Sequence, residues 1–126
     1  MLYDFATIRN LPASQVAHHT ACLVCHGYVI SLGTAAAFPW YFRGVAALEA
    51  GSAACNLSAF WPEDTRLARV YLAVMTLSNA ATLACMRHWV HATASSGGKL
   101  LGATVTVLLV VGRQYVAIEA ARESHA

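Results

Sequence analysis

Three histidines and two cysteines stand inside one apolar stretch, residues 16 to 31, and these are the side chains that ligate metals, attach haem or move protons. No Lys, Arg, Asp or Glu occurs from Asn10 to Phe42, so His18, His19 and His26 are the only ionisable groups there besides thiols and phenols. Cys22-Leu23-Val24-Cys25-His26 spells the C-x-x-C-H pattern of covalent haem attachment. It stands in mid-span rather than on a soluble, exported fold, and small packing cysteines are the plainer reading. His19, Cys22 and His26 fall at i, i+3 and i+7 on one helical face, with His18, Cys22 and Cys25 on an overlapping one. Imidazole and thiolate suit zinc or copper, but one helix rarely closes a four-coordinate site. The alternative is histidines hydrogen-bonded to neighbouring helices, and no metal is expected.

A second constellation follows downstream. Glu49, Ser52 and Asn56 also recur at i, i+3 and i+7, which puts a carboxylate, a hydroxyl and an amide on one helical face. A carboxylate at membrane depth is costly, roughly 2.5 to 3.5 kcal/mol on insertion scales, and demands a partner. His18 or His19 would serve, the carboxylate fixing the imidazole tautomer and supporting it as a general base. Arg87 or Arg113 could equally be the counter-ion, and a polar lock between helices without turnover is the plainer alternative.

The elements that must position these groups read as membrane helices. Of the 126 residues, 58% are apolar and only 11% charged, far from the roughly one-quarter charge of a soluble domain. Mean hydropathy is +0.52, which favours an outer surface that meets lipid. The net charge of +2 is scattered, without a basic stripe, so nucleic acid is not an expected partner. The N-terminus lacks the basic-then-apolar order of a cleavable signal peptide. An all-α fold of about four membrane helices is expected in one domain, with spans over 14–36, 44–61, 67–89 and 100–118.

Punctuation supports these bounds. The first span would close at Phe38-Pro39-Trp40-Tyr41-Phe42-Arg43, an interfacial aromatic belt with a proline turn. In the second, Ala47, Gly51 and Ala54 allow a neighbouring backbone to come close. Residues 93 to 99, rich in Ser and Gly, read as a loop, and Arg113 interrupts the last apolar run, where it must snorkel or face protein. Four spans place Arg9, Arg66, Arg69 and Arg122 on one side against Arg43, Arg87 and Lys99, which leans toward cytoplasmic termini. The soluble alternative is an Ala-rich four-helix bundle.

His18-His19, then Leu48-Glu49, Asn56-Leu57 and Arg87, with Asp4 and a proline ahead of the paired histidines, resembles the C-terminal part of the TLC domain. The resemblance implies a multi-pass helical membrane protein of the endoplasmic reticulum or related endomembranes, concerned with lipid metabolism. In the ceramide synthases of that family, histidines similar to His18-His19 serve N-acylation from acyl-CoA. Those enzymes carry a downstream aspartate pair, where this chain has only Glu49. The closer likeness is to the non-synthase branch related to transmembrane protein 56. The expectation is therefore a partial TLC-type domain handling membrane lipid, with His18, His19 and Glu49 as the chemical groups and Ser52, Asn56 and Arg87 lining a polar cavity. No cofactor is expected, acyl-CoA excepted if the chain is an acyltransferase; a haem or metal electron-transfer module is the distant alternative. A homo-oligomer or helper subunit would cover faces left open by absent helices.

Overall fold

The computed structural model describes residues 20, 22–24, 26–29, 31 and 34–123. Contacts divide the chain into two compact units, Met1–Gly33 and Thr34–Ala126. In the first, the described residues from 20 to 31 are helical, with His26 Nδ1 donating to the Cys22 carbonyl at 2.6 Å and Ser31 Oγ to the Tyr28 carbonyl at 2.7 Å.

The second unit is three consecutive antiparallel helices: α1 (Phe38–Phe60), α2 (Thr65–Ala92) and α3 (Ser96–Glu123). No strand occurs among the described residues. Helix α1 opens with Pro39 in its first turn, where a missing N–H costs nothing. The aromatic run 38–43 therefore begins α1 instead of closing a preceding span. Asp64 caps α2, its carboxylate accepting from the Arg66 and Leu67 amides at 2.8 and 3.3 Å. Thr93 ends α2 by donating both its amide and its hydroxyl to the Trp89 carbonyl. Ser95 then starts α3, its Oγ accepting from Gly98 N at 3.2 Å. The expected loop over residues 93–99 is thus only three residues long, because Ser95 serves as a cap and Gly97 and Gly98 are already helical.

Helices α2 and α3, 28 residues each, are long and apolar enough to cross a membrane. At about 1.5 Å per residue each runs about 42 Å, beyond the roughly 30 Å hydrocarbon layer. The expected spans 67–89 and 100–118 lie within them. Helix α1 covers most of the expected span 44–61 but is not among the helices long and apolar enough to cross a membrane. About half of the span 14–36 falls outside the described residues, and those described between 20 and 31 are helical.

Tyr71, Met75 and Ala117 form the core, with Ala54, Cys55, Leu72 and Ala120 packed around them, so all three helices contribute. Around this core the usual polarity is reversed. Ser78, Asn79 and Thr82 are buried, at 6%, 3% and 4% exposure, while Leu77 and Leu108 stand 71% and 68% exposed. Val111 and Val116 are exposed as well.

Candidate functional site: a polar crossing through three helices

The interior polar groups meet around Arg113, which reaches from α3 to α1. Its Nη2 donates to the Leu48 carbonyl at 2.7 Å and its Nη1 to Ser52 Oγ at 3.0 Å. Ser52 in turn donates to that same carbonyl at 3.2 Å. The Leu48 oxygen already closes the helical ladder of α1, so Arg113 uses its spare acceptor capacity without breaking the helix. Arg113 Nε is buried without a hydrogen-bond partner.

Gly51 makes the crossing possible. A Cβ there would collide with Ser78 Oγ and stand 2.5 Å from Arg113 Nη2 and 3.1 Å from Met75 Sδ. Only a residue without a side chain lets α1, α2 and the guanidinium share that space. This is the close approach expected of the small-residue face, with Ala47 and Ala54 half-buried beside it.

A second set of bonds ties α2 to α3. Asn79 Nδ2 donates to Gln114 Oε1 at 3.0 Å and lies 3.5 Å from the Val110 carbonyl. Gln114 Nε2 donates to Thr76 Oγ1 at 2.9 Å, and Thr76 donates to the Leu72 carbonyl. Asn79 Oδ1 is buried with no partner. Thr82 Oγ1 donates to the Ser78 carbonyl and lies 3.3 Å from that of Gly44, and Cys55 packs against the core that holds Tyr71. The chain's interior is therefore held by directional polar contacts as well as by packing.

Of the expected site residues, Ser52 joins this crossing, half-buried. Glu49 is exposed on α1 and lies within electrostatic reach of Arg113. Asn56 is also exposed, two turns beyond Glu49. Arg87 is exposed near the end of α2. His18 and His19 lie outside the described residues, as do His19 and Cys25 of the metal and haem constellations. Among the described residues no group of three His, Cys, Asp or Glu is placed to hold a metal ion. The central residue, Arg113, is one of the counter-ions considered for Glu49, but an arginine after an apolar run reads first as the end of a span. Asn79 and Gln114 carried no sequence signal beyond their polarity.

No protein-family model, curated protein or solved structure matches the chain.

Chemically the crossing is a donor-rich site, with guanidinium N–H groups fixed on Ser52 and the Leu48 carbonyl and the Nε donor unpartnered, and with the exposed Glu49 carboxylate within electrostatic reach. Such an arrangement can hold a molecule that offers both an acceptor and a donor or cation.

Proposed function

We propose that the chain is an integral membrane protein of lipid handling, a partial TLC-type domain of the endoplasmic reticulum or a related endomembrane. Its polar crossing receives the polar portion of a membrane lipid. The observation that carries this reading is the reversed polarity: buried Ser78, Asn79 and Thr82 against exposed Leu77 and Leu108. Water would drive those leucines inward, whereas hydrocarbon has no such preference and instead drives polar groups to find one another.

The placement of Glu49 and Asn56 supports the lipid-binding part. Both are exposed on α1, Glu49 eleven residues from either end of the helix, where hydrocarbon offers it no solvation. A lipid amide, hydroxyl or headgroup against this face would satisfy the carboxylate, with Arg113 behind it. A second copy of the chain or a helper subunit would do so when no lipid is bound.

The test is the lipid that travels with the protein. Protein purified in mild detergent is extracted and its lipids are quantified by mass spectrometry, for wild type, Glu49→Gln and Arg113→Ala. One lipid class enriched with wild type and reduced several-fold with both variants is expected. Identical lipid profiles for all three proteins would contradict the reading.

A further inference from the structure

The two ends of the three-helix unit differ in charge. Consecutive antiparallel helices bring the start of α1, the end of α2 and the start of α3 to one end. That end carries Arg43, Arg87 and Lys99, with His88 and His91. The chain has no Asp or Glu between Asp64 and Glu119, and none between residues 34 and 48, so no carboxylate of these segments balances them. The opposite end mixes Glu63, Asp64, Glu119 and Glu123 with Arg66, Arg69 and Arg122, and Arg122 there donates to Glu119 at 2.7 Å.

The cationic end is also built with aromatic rings. The Trp40 indole stacks on the His88 imidazole, centroids 4.2 Å apart and planes 19° from parallel. The Arg43 guanidinium lies over Trp40, its carbon 4.8 Å from the ring centroid. This layering holds α1 to α2 and fixes an arginine at the height of an indole, the depth at which amphipathic rings settle in a bilayer. Arg43, Arg87, His88 and His91 are exposed.

We infer that this end of the molecule is a docking surface for anionic phospholipid headgroups, seated on Arg43, Arg87 and Lys99 around the Trp40–His88 stack. Charge complementarity selects the occupant. A phosphate diester with no compensating ammonium gains from each cation, whereas a zwitterionic headgroup brings its own positive charge and gains little. The inference rests on the membrane reading above but involves a surface separate from the Arg113 crossing.

The test is quenching of tryptophan fluorescence by brominated lipid. The Trp61→Phe variant keeps Trp40 and Trp89, both at the cationic end. It is reconstituted into phosphatidylcholine bilayers containing equal mole fractions of either dibromo-phosphatidylglycerol or dibromo-phosphatidylcholine. Stronger quenching by the phosphatidylglycerol, weakening as salt rises, is expected. Exchanging Arg43, Arg87 and Lys99 together for Gln should abolish the preference, with up to about fivefold in relative binding lost per cation. Exchanging Arg66 and Arg69 for Gln, at the other end, should leave it intact, and helical circular dichroism confirms that both variants fold. Equal quenching by the two lipids in the parent overturns the inference while leaving the membrane reading standing. Absence of quenching by either lipid overturns both.

Discussion

Replacing Arg113 by alanine removes both bonds that join α3 to α1 at the crossing, to the Leu48 carbonyl and to Ser52 Oγ. Hydrogen bonds from a charged donor are worth about 1.5 to 3 kcal/mol each, and part of that is recovered when the neighbours relax. Arg113→Ala should therefore lower stability by about 2 kcal/mol, read from thermal unfolding in detergent. Arg113→Lys should fall between the two, since a single ammonium cannot imitate the planar fork that reaches two acceptors. An alanine variant as stable as wild type would mean that the crossing is incidental. Glu49 is a different case: exposed on α1, its removal should change bound lipid more than stability. The two residues thereby separate loss of binding alone, at Glu49, from loss of binding together with stability, at Arg113.

At the scale of helices, glycines divide by what surrounds them. Gly51→Ala places a methyl group against Ser78, Arg113 and Met75, so it should destabilise the unit by about 1 to 3 kcal/mol, as overpacking does. Gly112→Ala meets nothing within 4 Å in the same unit, and a helical Gly-to-Ala change there should stabilise by about 0.5 to 1 kcal/mol. Thermal midpoints moving in opposite directions check both, and equal shifts would remove the special role of Gly51. Asp64→Ala should cost about 1 kcal/mol through loss of the α2 cap. Helices α2 and α3 were legible in the chain because long uncharged runs declare themselves by length alone. Their ends were less so: Ser95 to Gly98 reads as a flexible loop by composition, and only the Ser95 cap shows that the helix has already begun. Likewise Phe38 to Arg43 has the composition of an interfacial stop, yet Pro39 in a first turn starts α1. The Glu49, Ser52 and Asn56 face was readable from spacing. Its partner was not, because Arg113 lies 61 and 65 positions from the groups it binds and no local pattern links them.

For the whole molecule, reversed polarity is the ground of the membrane proposal. Exposed Leu77, Leu108, Val111 and Val116 around a buried Ser, Asn and Thr seam would aggregate in water and are content in hydrocarbon. The protein should remain in the membrane pellet after alkaline carbonate extraction, and release into the supernatant would count against integral insertion. A carbene-generating phospholipid tests the same claim residue by residue. Membranes containing the protein are illuminated with a diazirine-bearing phosphatidylcholine, and the labelled peptides are mapped by mass spectrometry. Labels should fall on Leu77, Leu108 and Val111 and spare Tyr71, Met75 and Ser78. Absence of label from α2 and α3, with a water-soluble carbene reagent marking those same leucines instead, would contradict the membrane assignment and the lipid function built on it.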